Sequence, residues 1–89
     1  MPAVRARHIA TKGGLAEMIV ARRGHLGLSL REVGVAAGVD PSLVWQLEVG
    51  RTINPKIRVI NGLSIALKVP FERVCRAALV DAQAKRERA

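Results

Sequence analysis

Acidic side chains are scarce in this 89-residue chain, seven Asp and Glu against fifteen Lys and Arg. No paired-carboxylate cleft for general acid–base chemistry can be read from so few. Aromatic residues are scarcer still: one Trp, one Phe and no Tyr. A platform that stacks single-stranded RNA bases needs several, so that function class is poorly supported. Cys75 is the only cysteine. No intramolecular disulfide can form, and one thiol with the distant His8 and His25 does not make a zinc site. Cys75 falls in an apolar helical pattern and is expected to be a small buried hydrophobe. No apolar run reaches the ~18 residues needed to span a bilayer. The basic opening MPAVRARHIATK is not followed by an apolar h-region or a small-residue cleavage site. No Ser-His-Asp or Cys-His arrangement and no phosphate-cradling glycine loop is present, and Gly13-Gly14 reads as a helix start. These absences argue against an enzyme, a metal, a cofactor, a small-molecule substrate or a membrane partner. They lead us to expect a cytoplasmic, reducing compartment.

What the chain does have is positive charge and aliphatic bulk. Its formal net charge is +8, eleven of the fifteen cations are Arg, and the isoelectric point is near 11.4. Arg forms forked hydrogen bonds to phosphate, and a small domain this basic carries the electrostatic footprint of a nucleic-acid binder. Apolar residues make up 49% of the sequence, enough for a compact core and too many for a disordered chain. The length is that of one domain.

The periodicity predicts five short helices and no strands. Residues 1–10 read as a flexible basic arm carrying Arg5, Arg7 and His8. Residues 11–80 read as the folded domain, and 81–89 as a charged tail or an extension of helix 5. Thr11 is a plausible cap for helix 1, where Leu15, Met18, Ile19 and Arg22 share one face, and Gly24 and Gly27 are expected to end it. Helix 2 is expected over roughly Leu30–Ala37, with Ser29 as its cap, Val33 and Ala37 facing the core, and Gly34 where another helix can approach. Helix 3 is expected over roughly Pro41–Val49, with Asp40 as its cap and Val44 and Leu47 facing inward. After the loop RTINPK, helix 4 is expected over Ile57–Leu67, with Ile60, Leu63, Ile65, Ala66 and Leu67 as core candidates. Helix 5 is expected over Phe71–Leu79, with Phe71, Val74, Cys75 and Ala78 on one stripe.

Residues 28–51 carry the most information. Two amphipathic helices are separated only by Gly38-Val39 and the Asp40 cap, so they must cross steeply and leave the second standing clear of the body. That is the geometry of a helix-turn-helix, whose second helix fits the DNA major groove. Gly27-Leu28-Ser29, Gly38-Val39, Val44, Leu47-Glu48-x-Gly50-Arg51, Asn54-Pro55 and Ala66-Leu67-x-Val69 occur in order. This ordered set resembles the Cro and lambda-repressor-like (XRE) helix-turn-helix family over about Leu15 to Val74. The resemblance implies an all-α, compact five-helix lambda-repressor-like domain in which helix 3 reads DNA. It also implies a structural ion pair between Arg23 and Glu48. Leu30 stands where that family usually has Gln, and Gly34 where it usually has a small Ala.

On this reading Ser42, Trp45 and Gln46, with Pro41, are the candidate base contacts. The Gln46 amide can pair with adenine N6 and N7, and the Trp45 ring can meet thymine methyls or fold over a neighbour. Arg31, Arg51, Thr52, Asn54 and Lys56 are candidate phosphate contacts, which position a protein without reading sequence. Arg5 and Arg7 are candidates for an adjacent minor groove. The resemblance further implies a homodimer on a palindromic double-stranded operator, with Phe71, Leu79 and Val80 as candidate interface residues. The expected function is a stand-alone Cro-like transcriptional repressor of phage or prophage type. The alternative is a protein-interaction module on the same fold, such as an antitoxin or a transcription-factor adaptor, docking through Leu30, Trp45 and helix 5.

Overall fold

The computed structural model describes residues 13–52 and 55–88, without the side chains of 87 and 88. Arg5, Arg7, Thr11 and Asn54 therefore lie outside the described residues. Five α-helices follow one another: α1 (Leu15–Leu26), α2 (Leu30–Ala37), α3 (Pro41–Glu48), α4 (Ile57–Leu67) and α5 (Phe71–Arg88). There is no strand among the described residues, so the all-α expectation holds.

The helix ends follow from local chemistry. Gly14 precedes α1 without a side-chain cap, while the neighbouring Gly13 amide donates to Glu17 Oε1 at 2.8 Å. Ser29 and Glu32 form a reciprocal capping box at the start of α2, at 3.0 and 2.7 Å, which satisfies two amides that the helix itself leaves unpaired. At the end of α2, Gly38 adopts φ 75°, a left-handed conformation that side chains with a Cβ resist. Asp40 accepts from the Ser42 amide at 2.8 Å, and Pro41 occupies the first position of α3. Gly24, expected to end α1, instead lies inside it, and Gly27 is its C-cap. A glycine within a helix costs only about 1 kcal/mol, too little to stop a helix whose other side pairs with the core.

The core is aliphatic. Leu15, Ile19, Val33, Val44, Leu47, Leu63, Leu67 and Val74 are almost wholly inaccessible, and Ile60, Ala66, Val69 and Ala77 complete the cluster. Helix α2 packs against both α3 and α4, while α1 lies against α3, α4 and α5. Ile65 corrects the expected core, because it is 64% exposed. Ile65, Ala66 and Leu67 are consecutive, a helix advances about 100° per residue, and only Ala66 and Leu67 turn inward. Cys75 is half-buried and packs on the cluster's edge.

Two close approaches hold α2 in place. A Cβ on Gly34 would stand 2.8 Å from the Val39 carbonyl oxygen and 3.1 Å from the Pro41 ring, so this glycine is where the turn and the start of α3 fold against α2. On α4, a Cβ on Gly62 would run into the Ala37 carbonyl, so the end of α2 rests directly on the backbone of α4.

Polar contacts tie the helices to one another. Arg22 Nε donates to the Leu67 carbonyl at 3.1 Å, placing a cation at the C-terminal end of α4, where the helix dipole favours it. The Leu15 amide, at the start of α1, donates to Asp81 Oδ2 at 2.9 Å. Asp81 is buried and lies in the part of α5 beyond Leu79. Among the described residues no helix is long and apolar enough to cross a membrane.

Candidate nucleic-acid interface

Helix α3 has two sides. Val44 and Leu47 are three residues apart and buried against α1 and α2, which fixes the rotation of the helix. That rotation leaves Ser42 and Trp45 exposed, with Trp45 at 38%, and leaves Pro41, Leu43 and Gln46 half-buried. Leu43 packs against the edge of the core.

The C-terminal end of α3 is anchored by charge. Arg23 Nε donates to Glu48 Oε2 at 2.7 Å and a second guanidinium nitrogen reaches Oε1 at 3.2 Å, a two-point contact. Nη1 of the same Arg23 also donates to the Leu28 carbonyl at 3.1 Å. One guanidinium therefore joins α1, the α1–α2 link and α3. The hydrogen bond to Glu48 holds Arg23 protonated more firmly than usual, against an opposing effect of partial burial. The Glu48 side chain is only 8% exposed, so removing Arg23 would strand a nearly buried carboxylate.

The segment leaving α3 brings four of the expected site residues together. The Arg51 guanidinium lies over the Trp45 ring, 5.5 Å from its centroid, within reach of a cation–π attraction. Thr52 Oγ1 donates to Gln46 Oε1 at 3.3 Å. Arg31 is exposed in the first turn of α2, and Lys56 is exposed at the N-cap of α4. Among the described residues neither takes part in an ion pair. On α5, Phe71 is 37% and Leu79 56% exposed, while Val80 is half-buried. No group of three or more His, Cys, Asp or Glu is placed to hold a metal ion among the described residues.

A family model described as a helix-turn-helix domain matches residues 15–79, from the first core residue of α1 to Leu79 in α5. This chain belongs to the helix-turn-helix domain family. No curated protein and no solved structure matches it. In a helix-turn-helix domain the second helix of the motif is the one that enters the DNA major groove, with its N-terminal residues at the base edges. Here that helix is α3, whose N-terminal residues Pro41 and Ser42 follow directly on the turn.

Sequence reasoning missed three contacts that shape this helix-turn-helix. The Arg22 link to Leu67 has a faint signal, a cation on an otherwise apolar face of α1. Asp81 has a clearer one, since Val74, Ala77, Ala78 and Asp81 fall at i, i+3, i+4 and i+7, which puts an acid on the buried stripe of α5. The pairing of Thr52 with Gln46 has none, because it joins a helix to a loop across a break in periodicity.

Proposed function

We propose that this helix-turn-helix protein is a sequence-specific double-stranded DNA-binding transcriptional regulator, a repressor of the Cro type that occupies operator DNA with α3 in the major groove. One observation supports this above the rest: the side of α3 away from Val44 and Leu47 exposes Ser42 and Trp45, with the half-buried Gln46 and the Arg51 cation beside them. Ser42, Trp45 and Gln46, with Pro41, are the groups that meet base edges. Arg31, Arg51, Asn54 and Lys56 serve the phosphates, and the arm with Arg5 and Arg7 reaches the minor groove. Such contacts position the domain, and the base contacts select the site.

A single domain of this size buries little surface on DNA and binds weakly alone. We place a second copy on a palindromic operator, with half-sites about one helical turn apart. The exposed apolar groups of α5, Phe71 and Leu79 with Val80 beside them, form the contact between copies. The phage or prophage setting follows from the Cro-like reading. A second reading is favoured by a different observation. Val35, Ile57 and Ile65 are 77%, 64% and 64% exposed, and an antitoxin or adaptor that docks on a protein would cover such aliphatic groups.

The test is selection of duplexes from a random pool by the full chain at two salt concentrations. A regulator of this kind enriches a palindrome. With about six to eight cations on phosphates, its log affinity falls against log salt with a slope of about −5 to −7. Gln46→Ala is expected to cost roughly 1–3 kcal/mol and to relax preference at one position, whereas Lys56→Ala weakens all duplexes alike. Unchanged preference in Gln46→Ala would remove α3 from the groove. Capture of a protein partner with no duplex enrichment would favour the second reading.

A further inference from the structure

The chain folds back on α3 immediately after leaving it. The main-chain carbonyl of Gln46 accepts from the amide of Arg51 at 2.9 Å and from that of Thr52 at 3.4 Å. These backbone bonds hold residue 52 beside side chain 46, where the Thr52 hydroxyl reaches Gln46 Oε1 at 3.3 Å. Two successive loop residues thus each hold one of two successive α3 side chains, Arg51 on Trp45 and Thr52 on Gln46. Threonine suits this task because its β-branched side chain is stiff about χ1, so little rotational freedom is lost in aiming the hydroxyl.

A primary amide has two unlike edges, a carbonyl that accepts and an NH2 group with two donors. Drawing Oε1 toward the loop turns the Nε2 side away from it. A paired contact with adenine needs both edges at one base, the oxygen for the N6 amino group and the nitrogen for N7. Guanine offers two acceptors in the major groove, N7 and O6, and these match an NH2 edge alone.

We infer that Thr52 is a positioning residue for sequence readout: by holding the carboxamide oxygen of Gln46, it makes Gln46 present its donor edge and choose guanine over adenine. The inference rests on α3 being the helix that reads DNA. Thr52 then acts through Gln46 and not on a phosphate, because its hydroxyl lies 3.3 Å from Oε1 and has a single proton to donate.

The experiment uses the full chain and four duplexes of the selected site. They carry each base pair in turn at the position whose preference Gln46→Ala erases. The unaltered protein is expected to bind the guanine duplex about ten-fold or more tightly than the adenine duplex. Thr52→Val keeps the shape but removes the donor, and should shrink that ratio about five-fold or more. Thr52→Ser keeps the donor and should retain most of the ratio. A uniform loss across the four duplexes in Thr52→Val would mark a phosphate contact and overturn the inference, as would an adenine preference in the unaltered protein. Should Gln46→Ala erase the preference while Thr52→Val leaves the ratio intact, this inference alone falls. Should Gln46→Ala leave every preference in place, the reading of α3 falls and the inference with it.

Discussion

The turn that enters α3 and the segment that leaves it act on different parts of the helix. The entry is three residues long and closed by main chain: the Val39 amide donates to the Gly34 carbonyl at 2.9 Å, Gly38 takes a left-handed conformation, and Asp40 caps the next helix. Its neighbours are glycines that let backbone meet backbone. The exit is closed by main chain as well, through the Arg51 and Thr52 amides on the Gln46 carbonyl, but it also places side chains on the outer face of α3, Arg51 on Trp45 and Thr52 on Gln46. The entry therefore decides where α3 points, and the exit decides what α3 shows. Changes at the entry should register in stability, and changes at the exit in the choice of DNA sequence.

The largest effect is expected beneath the entry. Gly62→Ala puts a Cβ into the carbonyl of Ala37, the last residue of α2, and a backbone group cannot swing aside as a side-chain tip can. Overpacking of this kind outweighs the ~1 kcal/mol that alanine contributes to helix formation, for a net loss of about 2–3 kcal/mol. Thermal unfolding should show a Tm lower by roughly 10–20 °C, and an unchanged Tm would mean that α2 and α4 are not in contact there. Gly34→Ala is the next test. Propensity alone favours the alanine by ~1 kcal/mol, but the approach of the Val39 carbonyl opposes it and should turn the result into a net loss of about 1 kcal/mol. A gain in Tm would show that the turn yields, and the contrast between entry and exit would weaken.

The smallest effect concerns Asp40. Its carboxyl is held below the ordinary carboxylate range by the Ser42 amide and then by the Ser42 hydroxyl. The folded form thus prefers the charged carboxylate more than the unfolded chain does. Its contribution is complete above the unfolded value and disappears as pH falls through the lower folded value. Asp40→Asn retains a capping oxygen but no charge. Its Tm should lie slightly below that of the unaltered chain at neutral pH, and the gap should close in acid. A gap that widens in acid would reverse the sign of this argument.

Much of the entry can be read from residue types, and little of the exit can. Ser29, Gly38, Asp40 and Pro41 each have a strong positional preference, so α2 and the start of α3 fall where capping chemistry puts them. Pro55 and the apolar spacing after it mark out α4 equally well. Ile65 was harder to place, because an unbroken Ile-Ala-Leu run gives no sign of which residue faces out. The length of α5 is also obscure in the sequence, since its last turns are charged and lack an apolar stripe, yet the helix runs on to Arg88. For the site, the exposed side of α3 follows by subtraction once Val44 and Leu47 are turned inward. The Arg51 and Thr52 contacts depend on how a loop folds back, and no repeat or cap in the sequence encodes that path.

Asp81 sits 66 residues beyond the amide it receives. A chain made from its N-terminus outward builds α1 before α5, so the opening of α1 acquires this carboxylate only when α5 has been synthesised. The start of α1 is therefore completed by a group on α5. A truncation placed just before Asp81, though remote from α3, would undo the first turn of the fold.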